Sequence, residues 1–386
     1  MHGRARSARA LVALVTVVAG LAACRPLPEA AAPGAAPVAP GAQVRLNEVQ
    51  VLASHNSYHV EPEPVLLDAL RGAIGAEADG LQYTHRPLAE ELDAGVRQIE
   101  LDVFVDDPGG GRYAEPKLVE LLSLDPVDPR LADPGLKVFH VQEVDYRSTC
   151  PTLVDCLTDV RDWSDGNPGH LPIVIQIEAK DGTIPDPLEL GFVTPLPWNP
   201  GAFTELEAEI ASVFPPERVI TPGEVKGPAR TLADAVRSRG WPWLRDARDQ
   251  VMFVLDDTGA KREAYRTAVP DIEDRSIFVD VPPSDPDAGV RVVNDPIGDA
   301  ERIRSLVEDG FLVRTRADAD TVEARTGDTT RRDAALASGA HFVSTDYVFP
   351  DERFGTGYAV DLPGDDPARC NPVSARPSCR RAHLGG

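Results

Sequence analysis

The sequence predicts an α/β protein whose strands close into a parallel barrel, and three observations carry that prediction. Short apolar runs recur eight times between residues 49 and 347. Helix-like segments, several with three- and four-residue apolar spacing, fall between a number of these runs. Acids, histidines and basic residues gather toward the C-terminal ends of several runs, the end at which parallel barrels carry their chemistry.

The expected strands, in order, are VQVLA (49–53), RQIELDVFV (97–105), LKVFHVQ (136–142), PIVIQIEAK (172–180), QVMFVLDD (250–257), RSIFVDV (275–281), GFLVRTRAD (310–318) and AHFVSTDY (340–347). The expected helices are LAEELDAGV ahead of the second strand, then FTELEAEIASVF, TLADAVRSRG, DAERIRSLVEDG and RRDAALASGA. Two of the last four end at glycine, a common helix C-terminus. Residues 106–135 and 181–202 break the alternation; they are rich in Pro, Gly and Asp and read as loops. Within the second loop, Phe192, Trp198 and neighbouring Phe203 either touch lipid or pack on the barrel.

The N-terminus has a basic head, an apolar run from Leu11 to Ala19 and small residues before Cys24, the order of an export signal. Leu21, Ala22, Ala23 and Cys24 resemble a bacterial lipobox, which implies a lipid-anchored protein on the outer face of the cell membrane; the alternative is plain secretion. Residues 25–43 are almost all Pro, Ala and Gly and form a tether, leaving one catalytic domain at 44–386. Cys150 with Cys156, and Cys370 with Cys379, are two local pairs suited to disulfides rather than to a metal. A formal charge of -23 without a basic block argues against nucleic acid. Nothing points to a protein partner.

Glu100 and Asp102, two apart on one strand, project from the same face. Two carboxylates that close repel, so a cation or a shared proton is expected between them. Glu178 ends another strand in the same way; with the amide oxygen of Asn56 these make an all-oxygen set suited to Ca²⁺ or Mg²⁺. His55 and His140 are then free to act as general acid, general base or phosphate donors. Lys180, Arg314 and Arg316 add the positive charge a phosphate ester needs, and His85 in QYTHRPL is an auxiliary at the mouth. His59, beyond the strand end, is expected to be solvated.

The ordered set HNSYH, THRPLAEELDAGVRQIELDVF, VFHVQEVD and PIVIQIEAKD, within residues 44–350, resembles the Ca²⁺-dependent phosphoinositide phospholipase C family of bacteria and fungi. More distantly it resembles the catalytic barrel of the eukaryotic phosphoinositide phospholipases C. The resemblance implies a distorted (β/α)₈ TIM barrel, catalytic His55 and His140, and one Ca²⁺ on Asn56, Glu100, Asp102 and Glu178. It implies cleavage of phosphatidylinositol at a membrane surface, the inositol 2-hydroxyl attacking phosphorus to give diacylglycerol and a cyclic inositol phosphate. A glycerophosphodiester phosphodiesterase is the nearest alternative. In that family the first histidine is usually followed by Arg-Gly, whereas here Asn56 and Ser57 follow His55. A catalytically inactive barrel lipoprotein acting as a binding module is the second alternative.

Overall fold

The structure, a computed structural model, describes residues 44–364 and 366–384. The signal segment, Cys24 and the tether lie outside the described residues. Ten strands form one sheet: β1 (Val49–Ser54), β2 (Val96–Phe104), β3 (Lys137–Val138), β4 (Ile173–Lys180), β5 (Val251–Leu255), β6 (Ile277–Val279), β7 (Val290–Val292), β8 (Leu312–Arg316), β9 (Phe342–Thr345) and β10 (Ala368–Cys370). Eight of them follow the path β6-β5-β4-β2-β1-β9-β8-β7. Every neighbouring pair on that path is parallel. A single parallel bridge, Asp280 to Val290, joins β6 to β7 and closes the ring at its thinnest seam. The architecture is a distorted (β/α)₈ TIM barrel.

Strand buried on both faces should read as a nearly continuous apolar run, because helices cover the outside and side chains fill the inside. β2 obeys this with all nine residues buried, among them Glu100 and Asp102. Burying two acids in a central strand sacrifices stability unless something compensates.

Two strand expectations need correction. Residues 136–142 do not form a barrel strand; only Lys137 and Val138 pair, antiparallel, with the end of β2. Lys137 is fully buried, 2.9 Å from Asp106 Oδ2, and donates to the Asp133 and Gly135 carbonyls. Leu136 and Val138 enter the main core, while Phe139 joins a satellite cluster with Phe104, Tyr113 and Leu131. The apolar pattern is therefore satisfied without a place in the ring. The missing barrel strand is β7, three residues long with Arg291 at its centre, 2.6 Å from Asp280. An interior arginine masks the apolar signal.

The five expected helices are present, at Leu88–Asp93, Pro200–Val213, Leu232–Ser238, Ala300–Glu308 and Thr330–Ala337. The second begins three residues earlier than its apolar pattern, because Pro200 suits the first turn and the Asn199 side chain accepts the Gly201 and Ala202 N–H groups. Another helix, Leu153–Gly166, lies between β3 and β4; Thr152 caps it by accepting from Asp155 N–H, and it buries Leu153, Leu157, Val160 and Trp163. β3 is thus an excursion inside one long β–α connection from β2 to β4. Cys150–Cys156 and Cys370–Cys379 are disulfide-bonded; the first anchors the start of this helix, the second holds the tail beyond β10. β10 itself lies antiparallel on β1. In the 181–202 loop and just after it, Trp198 and Phe203 are buried and pack together at 4.8 Å, so that stretch rests on the barrel. Among the described residues no helix is long and apolar enough to cross a membrane.

Candidate active site

Parallel register builds the acid cluster. Asp102 of β2 lies beside Glu178 of β4, and Glu100 beside Gln176. Carboxylate oxygens of Glu100, Asp102 and Glu178 all lie within 4.8 Å of one another. Asp102 is fully buried and neither of its oxygens is in hydrogen-bond geometry with any group. Burial and the Glu178 charge push its pKa up to about 7. Lys180 Nζ sits 3.2 Å from Asp102 Oδ2 in an ion pair and donates to Glu178 Oε1 at 3.1 Å. Glu100 receives Arg314 Nη2 at 2.5 Å.

The first strand ends in a turn bolted to this cluster. Ser57 N–H donates to the Glu100 carbonyl at 2.9 Å, and Ser57 Oγ accepts from Glu100 N–H at 2.9 Å. Asn56 between them adopts φ 47°, the left-handed conformation that asparagine tolerates better than most residues. Its Nδ2 donates to Tyr83 Oη at 3.0 Å, while its buried Oδ1 has no partner. Among the described residues Asp102 Oδ1 and Asn56 Oδ1 are buried without a partner and Asp102 Oδ2 faces only Lys180; with Glu100 and Glu178 they fit a hard divalent cation: oxygen donors only, several of them charged, with no imidazole or thiolate in the set.

Each histidine is held by a buried aspartate. His55 Nδ1 is 2.6 Å from Asp346 Oδ1; Asp346 Oδ2 accepts from Arg316 Nη2 at 2.8 Å, and Arg316 Nη1 is 3.2 Å from His55 Nε2. Burial and the Arg316 charge lower the His55 pKa, against the pull of Asp346 and Glu100. Asp346 is burdened by burial, yet Arg316 and His55 hold it well below the usual carboxylate range. Behind it, Asp318 accepts Asp346 N–H at 2.8 Å and the Thr345 hydroxyl; burial and the Asp346 charge raise Asp318 to about 7. His140 Nδ1 is 2.7 Å from Asp145 Oδ2. Burial lowers the His140 pKa, but the Asp145 bond and charge, with Asp102, outweigh it and the net shift is upward.

His140 follows the short β3 rather than ending a barrel strand. His59 is not solvated: it is fully buried, bonded to Asp145 and stacked on Tyr83 at 4.1 Å, because the segment after His140 folds over it. Lys180 and Arg316 reach the mouth, but both are already paired with acids. Arg314 is 1 % exposed and bonds Glu100, Ser344 and Asn294, a setting that favours a counter-ion of Glu100 over a contact with phosphate. His85 is buried, 2.6 Å from Glu91 Oε1, and lines a cavity of about 250 Å³ with Asp346. Asp346, Asp318 and Asp145 were missed, as was Asp256, which accepts from Gln176 Nε2 at 2.7 Å beside the acid cluster. Three of them end the expected strands at 340–347, 310–318 and 250–257, so the strand-end rule applied to every strand finds them.

Oxygen ligands for a hard cation beside two carboxylate-held imidazoles are what cleavage of a phosphodiester requires, and at the mouth of a parallel barrel they mark a cation-dependent phosphodiesterase. The family described as phosphoinositide phospholipase C, Ca²⁺-dependent, matches residues 44–372, and the chain belongs to it. It is accordingly an enzyme of the phosphoinositide phospholipase C class. Similar solved structures include a calcium-dependent phosphoinositol-specific phospholipase C from Pseudomonas sp, at 18 % identity over 84 % of this chain and 95 % of that one, TM-score 0.49. A Ca²⁺-dependent phosphatidylinositol-specific phospholipase C from Streptomyces antibioticus is similar at 18 % identity over 78 % and 94 %, TM-score 0.49. The phosphatidylinositol-specific enzyme from Listeria monocytogenes is similar at 9 % identity over 80 % and 91 %, TM-score 0.44. No curated protein sequence matches the chain.

Proposed function

We propose that the chain cleaves phosphatidylinositol at a membrane surface to diacylglycerol and a cyclic inositol phosphate, with one bound Ca²⁺. The observation that supports this most is the pairing of two carboxylate-held imidazoles, His55 on Asp346 and His140 on Asp145, with one cluster of three acids, Glu100, Asp102 and Glu178. Calcium, held by Asn56, Glu100, Asp102 and Glu178, would acidify the attacking hydroxyl and neutralise charge on the phosphoryl oxygens.

The chain's own residues divide the proton traffic. His55, with Nδ1 fixed on Asp346 and its neutral form favoured, takes the inositol 2-hydroxyl proton at Nε2, giving up its 3.2 Å contact with Arg316 Nη1 to do so. Arg316 keeps a fixed positive charge beside it for the phosphoryl group. His140, with its protonated form favoured, gives a proton from Nε2 to the departing glycerol oxygen. Glu178, the most exposed of the three cluster acids, and Lys180 face the substrate side. The disulfides fit the oxidising compartment that an exported protein would reach, and anchoring through Cys24 belongs to this proposal.

The test is incubation with phosphatidylinositol vesicles and, separately, glycerophosphoinositol, with and without chelator. Calcium-dependent release of diacylglycerol and a cyclic phosphate is expected. Hydrolysis of glycerophosphoinositol alone would replace this reading with a glycerophosphodiesterase, and inactivity on both would leave a binding module.

A further inference from the structure

The segment after β3 makes a turn whose whole geometry converges on one carboxylate. Val141 and Asp145 exchange both main-chain hydrogen bonds at 2.9 Å, with Glu143 between them at φ 67°, which folds Asp145 back beneath His140. Three outside contacts fix the turn. Gln142 Nε2 donates to the Gly182 carbonyl at 2.9 Å, and the buried Glu143 carboxylate accepts Lys117 N–H at 2.5 Å and Val193 N–H at 2.9 Å. The loops after β2 and after β4 are thereby tied to it.

At the end of that turn, Asp145 Oδ2 meets two imidazoles, His140 Nδ1 at 2.7 Å and His59 Nε2 at 2.8 Å. Asp145 and His59 side chains are fully buried. His59 is itself immobilised: its Nδ1 donates to the Tyr83 carbonyl at 3.0 Å and its ring stacks on Tyr83. The Asp145 carboxylate cannot rotate without breaking the bond to His59. With Nδ1 engaged and 24 % of its side chain exposed, His140 has only Nε2 left for substrate.

We propose that Asp145, clamped by His59, is the positioning residue that makes His140 the proton donor to the leaving group. The inference rests on the phospholipase reading above. In the step concerned, a lone pair of the inositol 2-hydroxyl oxygen forms the new P–O bond and that hydroxyl loses its proton to His55. The P–O bond to glycerol breaks, its electron pair passes to the glycerol oxygen, and that oxygen takes the proton from His140 Nε2. Asp145 keeps the Nδ1 tautomer and the ring orientation, as the aspartate of a serine-protease triad does for its histidine.

Leaving groups differ in their need for that proton, and this supplies the test. Wild type, Asp145→Asn and His59→Phe are assayed on phosphatidylinositol and on a nitrophenyl ester of inositol 1-phosphate, whose leaving group departs without protonation. Asp145→Asn is expected to lose about 100-fold or more in kcat on the lipid, the range of general acid catalysis, and under about 10-fold on the nitrophenyl ester. KM and the calcium-induced rise in Tm should stay as in wild type. His59→Phe, which keeps the stack on Tyr83, should show the same selectivity with a smaller loss, and decides the matter if Asp145→Asn does not fold. Equal losses on both substrates, or full activity of the variants on the lipid, would overturn the inference. Wild type inactive on both substrates would instead overturn the functional reading, and this inference with it.

Discussion

Asp102 is the residue at which stability and function most plainly oppose each other. A buried carboxylate compensated only by its ion pair with Lys180, raised to about 7, costs the fold part of the desolvation of its charge. Asp102→Asn should therefore raise Tm in calcium-free buffer, while the calcium-induced Tm shift disappears and turnover falls by about 100-fold or more. Calorimetry with and without calcium checks this; a variant that still gains stability from calcium would remove Asp102 from the ligand set. His55→Ala and His140→Ala should each lower kcat by about 100-fold or more with an unchanged far-ultraviolet spectrum. Near-wild-type rates in both would end their assignment. Residue types at strand ends single out these residues as candidates, because polar groups inside a barrel strand have few structural explanations. The partners that tune them, Asp346 and Asp145, were not read, since the choice of partner is made by the packing of separate segments.

At the scale of elements, the junction of β8, β9 and the N-terminal segment contains a buried acid-sensitive lock. Val313 N–H donates to His341 Nδ1 at 3.1 Å, and His341 Nε2 donates to the Asn47 carbonyl at 3.0 Å. The bond from Val313 requires an unprotonated Nδ1 and so the neutral ring, and burial lowers its pKa to about 4. The unfolded ring, near 6.5, binds more protons between those values, so stability is fully present above about pH 6.5 and is lost as pH falls toward 4. Thermal melts across that window should show a steeper acid loss for wild type than for His341→Gln; parallel slopes would contradict it. Ser57 makes a second junction, between the turn after β1 and β2. Ser57→Ala leaves Glu100 N–H unsatisfied, should cost about 1–2 kcal/mol, and should weaken calcium binding by loosening Asn56; titration calorimetry measures both. Element type was largely legible, as the five expected helices show, but ring membership was not. LKVFHVQ carries the stronger local signal and VRV, with Arg291 at its centre, the weaker, yet the long-range ladder puts the first outside the ring and uses the second to complete it.

For the whole molecule, the balance of charge bears on which head group would be accepted. The chain carries -23 overall, and the two cations that reach the mouth beside the acid cluster and His55 are committed: Lys180 to Asp102 and Glu178, and Arg316 to Asp346. A head group with extra phosphates would meet repulsion without a spare partner. Phosphatidylinositol should be turned over about tenfold or more faster, as kcat/KM, than its bisphosphorylated derivative in vesicles of equal surface charge; the reverse order would refute this.

The sequence by itself determined the class of fold and the chemistry at its mouth, because alternation of apolar strand and amphipathic helix and acids two apart on a strand are local patterns. Tertiary structure alone decided which strands close the ring and which carboxylate holds each imidazole. His55 and Asp346 lie 291 positions apart and meet only because β1 and β9 are neighbours in the barrel. His59, three residues past Asn56, is a buried clamp only because a turn from another part of the chain covers it. Distance along the chain carries no record of such meetings; they are fixed by the register of the sheet and the packing of the loops above it.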